Sequence, residues 1–244
     1  MKIVGVDERG EAAFRAVLAH GADPERVAHD AGFRVKAPID AFRDLDADLV
    51  LRLAVEPAGQ GPAPAVRPPG QDHQLVLEPG ETPVPRQRLA AYAVVLSDWG
   101  LLATEYSGRT AVSGRWGMPG GGIDDGEEPA AAVVREVTEE TSQVITLGAL
   151  TRVQTSHWVG RSPHGTVEDF HAVRLIYQGE CAEPSRPVVL DSGGTTESAR
   201  WIPLTRWPDL AWTHNWRSIL AELLGDTVTS WSPRRSGPRS RQND

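Results

Sequence analysis

The run Trp116-Gly-Met-Pro-Gly-Gly-Gly-Ile-Asp-Asp-Gly-Glu-Glu-Pro129 passes without a break into Ala130-Ala-Ala-Val-Val-Arg-Glu-Val-Thr-Glu-Glu-Thr141. The glycines let the backbone turn sharply and come close to a ligand. Pro129 suits the first position of a helix, where its missing N–H is not needed. Glu136, Glu139 and Glu140 then stand at i, i+3 and i+4, and at about 100° per residue they share one helix face. A neighbouring face carries Ala130, Val133, Val134 and Val137, which can pack on a sheet. Three carboxylates so close raise one another's pKa unless positive charge sits among them. Clustered oxygen ligands suit a hard divalent cation, Mg²⁺ or Mn²⁺.

These residues resemble the signature box of the Nudix hydrolases. Gly121, Glu127, Arg135, Glu136, Val137, Glu139 and Glu140 fall on its fixed positions in register. Ser142 and Gln143 depart from it, standing where the family has Gly and an apolar residue. Both lie at the helix C-terminus, where a left-handed cap is usually Gly, so the departure bears on the turn more than on the charged positions. The resemblance implies an α+β fold, the Nudix-type α/β/α sandwich with a mixed β-sheet, over residues 86–225. It implies metal ligands at Glu136, Glu139, Glu140 and the Gly120 carbonyl, with Mg²⁺ as cofactor and Mn²⁺ as its substitute. Glu140, as the most central ligand, is the first choice of general base, with Glu139 beside it. Arg135 and Glu127 are expected as a supporting pair, joined by charge-assisted bonds that align the ligands.

The implied reaction is hydrolysis of a pyrophosphate bond in a nucleoside diphosphate linked to a group X, giving a nucleoside monophosphate and X-phosphate. The competing reading is a non-catalytic Nudix-fold sensor of nucleotides or sugar nucleotides, with the N-terminal region as its output. The complete Arg-Glu-x-x-Glu-Glu motif favours the enzyme. Outside the box, Arg109 and Arg115 are candidates for substrate phosphates. Glu168, Asp169, Asp191 and Glu197 are candidates for the further acidic residue that the family often adds from a later loop, each otherwise an exposed loop carboxylate, with Glu197 preferred because it lies just before the late strand. Arg152, Arg161 and Arg174 could also meet phosphates, and Trp158 and Phe170 could stack on a base, but ion pairs and core packing are the plainer uses. His157, His164 and His171 are too scattered to suggest zinc. Trp207, Trp212 and Trp216 cluster near the last helix, where packing is their plainer role.

A net charge of −8 over 244 residues argues against a nucleic-acid-coating protein. Cys181 is the only cysteine, so neither an internal disulfide nor a cysteine zinc site is available. No apolar run reaches membrane-spanning length, and Asp7, Glu8 and Arg9 stand where a signal peptide needs its apolar core. The expected compartment is the cytoplasm.

Composition divides the chain into a small α/β extension at 1–57, a Pro/Gly-rich linker at 58–85, the main domain at 86–225 and a disordered tail at 226–244. The extension is expected to pack on the main domain or to make a homodimer contact, with a substrate-selecting lobe as the alternative. Within it, Ala12 to His20 reads as a helix, Asp23-Pro24 opens a second, and Asp48 to Val55 reads as a strand. Further strands are expected at Gln74 to Glu78, Leu89 to Leu96, Leu101 to Tyr106, Trp116 to Met118, Val144 to Ser156 (a pair or one bent strand), Glu168 to Gln178 and Ala199 to Leu204. Trp158 to Gly165 reads as a polar loop, and Leu210 to Leu224 as the closing helix.

Overall fold

A computed structural model describes the chain except for residues 66–67, 73–74, 163–164, 192 and 226–244. Among the expectations above, those for Gln74, His164 and the tail lie outside the described residues. Among the described residues, two sheets and three α-helices make up an α+β fold.

The smaller sheet has four strands, ordered β2-β1-β4-β3. They are β1 (Lys2–Val6), β2 (Ala12–Val17), β3 (Phe33–Arg43) and β4 (Leu49–Pro57), and helix α1 (Pro24–Asp30) joins β2 to β3. Asp23 caps α1 as its sequence suggests, accepting from the Glu25 N–H at 2.8 Å. The helix expected over Ala12 to His20 is instead the strand β2. Alanine's helical preference is weak beside sheet pairing: β2 runs antiparallel to β1, and the Phe14 ring lies flat over Gly5, where a Cβ would stand 2.2 Å from it.

The larger sheet is mixed, with the order β12-β7-β6-β11-β10-β5. Its long strands are β6 (Val84–Ser97), β7 (Gly100–Tyr106), β10 (Thr146–Arg161), β11 (Val167–Glu180) and β12 (Thr196–Ile202). Short pieces complete it: β5 (Gly70–Gln71) on β10, β8 (Trp116–Gly117) on β7 and β9 (Gly120–Gly122) on β6. Residues 75–78, expected as a strand, are irregular, and the linker pairs through β5 instead. β10 is one long strand with register shifts near Leu150. It runs on through the loop expected from Trp158, because pairing with β11 continues to Arg161 opposite Val167. Trp158 and Phe170 pack on each other across that pair, ring centroids 4.6 Å apart.

The large sheet lies between α2 (Pro129–Thr141) and α3 (His214–Gly225). Ala91 and Ala93 of β6 leave room for Val133 and Val137 of α2 on one face. Trp216, Ile219 and Leu220 of α3 fill the other face, packed against Val94, Leu101 and Ile176. The last helix begins later than expected. Residues 211–213 are held beside β8, with Trp116 donating to Ala211 O at 3.1 Å and Thr213 donating to Trp116 O at 3.1 Å. Trp212 and Trp216 are buried there as core. Among the described residues no helix is long and apolar enough to cross a membrane.

Ile3, Leu51 and Leu53 of the small sheet, with Leu18 just after β2, share the core that contains Ala91, Val133 and Leu175. The two sheets are therefore packed on each other in one molecule. Arg43, at the end of β3, adds a polar grip on the segment before α2. Its guanidinium donates to Glu127 O at 2.7 Å and Asp124 O at 3.1 Å, and its backbone N–H donates to the Glu128 carboxylate at 3.1 Å. Arg43→Ala is expected to cost about 1–3 kcal/mol, the range for lost bonds from a charged donor. Thermal unfolding should show this as a midpoint lower by a few degrees; an unchanged midpoint would make the grip idle.

Candidate active site

The acidic helix and the glycine strand meet over the centre of β6. β9 pairs antiparallel with β6, Gly120 opposite Tyr92 and Gly121 opposite Ala91. Gly120 has φ +141, open to glycine, and a Cβ there would stand 2.4 Å from Ala91 O. At Gly121 the same atom would fall 2.5 Å from the Glu136 carboxyl carbon. The carboxylate of Glu136 thus sits directly on the glycine strand.

The packing stripe of α2 is Ala132, Val133 and Val137, together with Pro129, while Ala130 and Val134 are exposed. The stripe is turned from the expected one, and it carries Glu140 inward with it. Glu140 is only 8% exposed. One of its oxygens accepts from the Gly120 N–H at 3.0 Å, and the other accepts from the Thr196 hydroxyl at the start of β12. Burial pushes its pKa up to about 7 against those two hydrogen bonds, with Glu136 and Asp191 adding repulsion. Burial also raises Glu136, opposed by the Arg135 charge. Glu139 lies at the solvent edge, its side chain 45% exposed.

Arg135 ties three carboxylates together. It holds Glu127 with two parallel bonds of 2.8 and 3.0 Å, Glu136 at 2.9 Å and Glu139 at 3.1 Å, and it donates to Gly122 O at 3.1 Å. Glu127 is lowered chiefly by that guanidinium, and it also accepts from the Asp124 N–H at 3.0 Å. The Glu127–Arg135 pairing read from the sequence is therefore present in the fold.

The departures at Ser142 and Gln143 have local explanations. Ser142 takes the left-handed cap conformation itself, with φ 57, and donates its N–H to Thr138 O at 2.8 Å. Gln143 is buried but satisfied: it donates to Thr141 O at 3.0 Å and accepts from the Ser185 N–H at 3.0 Å. The loop from 184 onward then covers the end of α2, with Leu190 donating to Glu139 O at 2.7 Å. Orphan carbonyls of the last turn are satisfied in this way.

The other site candidates are not gathered at the glutamates. Arg109 donates to Gly193 O and so braces the loop before β12. Arg115 is exposed at the turn that enters β8. Glu197 is exposed next to buried Thr196; alternation along β12 turns it away from Glu140, and Thr196 takes the inward place. Arg161 is bound by Glu81 at 2.8 Å, Arg152 pairs with Glu222, and Arg174 donates to Ser156 at 2.6 Å.

Two residues close to the glutamates escaped the sequence reading. Thr196 gave no signal beyond its neighbour Glu197. Arg88, on β6, lies 3.3 Å from where a Gly122 Cβ would be and draws the Glu136 pKa down; it stands in a run, Arg86-Gln87-Arg88, that reads simply as polar.

The donor set fits a hard divalent cation. It is all oxygen, and the charge partners of Glu127, Glu136 and Glu139 leave Glu140 held by two neutral donors, a peptide N–H and a hydroxyl. A buried carboxylate so placed favours a nearby cation.

A sequence model of the NUDIX domain matches residues 86–223. An RNA pyrophosphohydrolase of Rhodopseudomonas palustris is 37% identical over 109 residues, 39% of this chain and 59% of that protein. Nudix hydrolase 25 of Arabidopsis thaliana is 56% identical over 36 residues, 15% of this chain and 21% of its own length. The chain thus spans less than two thirds of these relatives. Among solved structures, the MutT NUDIX hydrolase of Burkholderia pseudomallei aligns with 57% of this chain and 98% of its own, at 26% identity and a TM-score of 0.39.

Proposed function

The chain belongs to the NUDIX domain family, and from that premise we propose that it is a metal-dependent hydrolase of pyrophosphate bonds. Its substrate is proposed to be a nucleoside diphosphate linked to a further group X, cleaved to a nucleoside monophosphate and X-phosphate. The observation that carries this reading is the placement of Glu140, buried between the Gly120 N–H and the Thr196 hydroxyl, with Glu136 and Glu139 beside it on Arg135.

In this reading Glu136, Glu139, Glu140 and the Gly120 carbonyl would hold Mg²⁺, or Mn²⁺ in its place. The bound ion would offset phosphate charge and make water easier to deprotonate. Glu140 takes a proton from the attacking water. Burial raises the Glu140 pKa in the cation-free chain, and a bound cation would lower it and keep the carboxylate ionised to accept that proton. The water oxygen bonds to one phosphorus, and the bridging P–O bond breaks toward the other phosphate. Thr196 and the Gly120 N–H keep the base in one orientation. Arg135 fixes Glu136 and Glu139 and, through Glu127, the turn before the helix. Arg88 and Arg115 are the side chains proposed to meet the distal phosphate, with Arg109 acting through the loop that it braces. The core shared by the two sheets supports residues 1–57 as a fixed part of the hydrolase rather than a detached output lobe.

A panel of ADP-ribose, nucleoside triphosphates, sugar nucleotides, dinucleotides and a 5′-triphosphorylated RNA tests the reading, with phosphate released from the products by a coupled phosphatase as the readout. Turnover of at least one substrate is expected with Mg²⁺ or Mn²⁺, to be lost on chelation and restored by added Mg²⁺. Turnover that survives exhaustive chelation would remove the metal from the mechanism, and no turnover of any substrate would favour a sensor.

A further inference from the structure

Away from the glutamates, a second group of ligand-bearing side chains converges where the small sheet meets the large one. His157 and His171 are direct partners across β10 and β11, and Asp169 precedes His171 by two residues on the same face of β11. His20 reaches them from the link between β2 and α1. His157 Nε2 lies 2.5 Å from Asp169 Oδ1, and His20 Nε2 lies 3.4 Å from Asp169 Oδ2. One ligand atom from each of His20, His157 and Asp169 falls within 4.8 Å of the others. The link is pressed closely onto the sheet: at Gly21, with φ +73, a Cβ would be 2.6 Å from the His157 ring. Asp23, next in the link, accepts from the Thr155 hydroxyl at 2.7 Å.

The chemistry of the group is that of a metal centre with nitrogen and oxygen donors. His171 is fully buried, its ring 5.6 Å from that of His20 and 5.9 Å from that of His157. Its Nδ1 is 2.9 Å from Gln87 Nε2, and its Nε2 has no hydrogen-bond partner among the described residues.

We propose that His20, His157 and Asp169 form a zinc site that fastens the β2–α1 link to the β10–β11 pair, with His171 lining it. Two imidazoles and one carboxylate suit Zn²⁺ and disfavour Mg²⁺, which prefers oxygen alone. Zinc bonds of about 2.0–2.2 Å place tetrahedral ligands about 3.3 Å apart. The His20–Asp169 separation already meets that spacing, and the His157–Asp169 pair opens by less than about 1 Å to reach it. The site is independent of the proposed hydrolysis: none of its residues belongs to the glutamate cluster, and the two prefer different metals.

The test uses the full chain in millimolar Mg²⁺, which keeps the glutamate site supplied, with zinc titrated by calorimetry and counted after dialysis. One zinc per chain is expected to be retained. His20→Ala and His157→Ala should each weaken its binding at least about tenfold. With Co²⁺ as probe, the intense visible band of a four-coordinate site should appear in the wild type and vanish in both variants. His20→Asn, at a partly exposed position, together with circular dichroism, separates loss of metal from loss of fold. Zinc bound equally well by wild type and both alanine variants would overturn the proposal. So would a wild type that binds no zinc in the presence of Mg²⁺, or one that gives no cobalt band.

Discussion

Glu140→Gln is expected to lower kcat by about 10²–10⁴, the range for loss of a positioned general base, while leaving the fold intact. The fold survives because the amide can meet both partners. The Gly120 N–H, now 3.0 Å from a carboxylate oxygen, can donate to the amide oxygen, and the Thr196 hydroxyl can rotate to accept from the amide nitrogen. The pH dependence of stability separates this variant from a merely damaged one. In the wild type without divalent cation, Glu140 has a folded pKa of about 7, raised from 4.5. The folded state therefore holds the proton more tightly than the unfolded chain. The protonated form is fully accommodated below about pH 4.5, and stability is lost as the pH rises toward 7. The loss is on the order of 2 kcal/mol. Glu140→Gln lacks that titration, so its melting temperature should change less between pH 4.5 and 7 than that of the metal-free wild type. Wild-type turnover from this variant would remove Glu140 from the base role.

How far the sequence carried this reading depends on which interactions were local. The three glutamates and Arg135 lie within one helix, so their spacing alone predicted a common face. Glu127 sits eight residues before Arg135, and the motif register was enough to pair them. Residues brought in by long-range pairing were not visible in this way. Thr196 reaches Glu140 from a strand 56 residues later, and Arg43 holds the glycine segment from 84 residues earlier. Nothing in a run of serines and threonines, or in one arginine near the end of a strand, distinguishes such a contact from a solvated side chain. The segment over Ala12 to His20 was misread for a related reason: its alanines favour a helix weakly, whereas pairing with β1 and the Phe14–Gly5 contact decide the outcome. The spacing of the histidines shows no site because His157 meets Asp169 only through the β10–β11 pairing, and His20 reaches both from the β2–α1 link only through packing of that link on the large sheet.

Neighbouring glycines give the second large prediction, because adjacent substitutions should fail in different ways. An alanine at Gly120 meets backbone: its Cβ would lie 2.4 Å from Ala91 O and 2.5 Å from Tyr92 Cα, at a φ of +141 that side chains rarely adopt. Neither neighbour can move without breaking the β9–β6 pairing, so Gly120→Ala should fold poorly. An alanine at Gly121 instead meets the end of a flexible side chain, the Glu136 carboxylate at 2.5 Å. Glu136 can swing aside, but only by leaving the Arg135 bond of 2.9 Å that now aims it. A misplacement of about 1 Å at a reacting centre costs about 10²-fold in rate. Gly121→Ala is therefore expected to melt within a few degrees of wild type and to turn over about a hundredfold more slowly, with weaker Mg²⁺ activation. Thermal scans and kcat against Mg²⁺ concentration measure both. If Gly121→Ala turned over at the wild-type rate, the position of the Glu136 carboxylate against the glycine strand would have no part in the reaction.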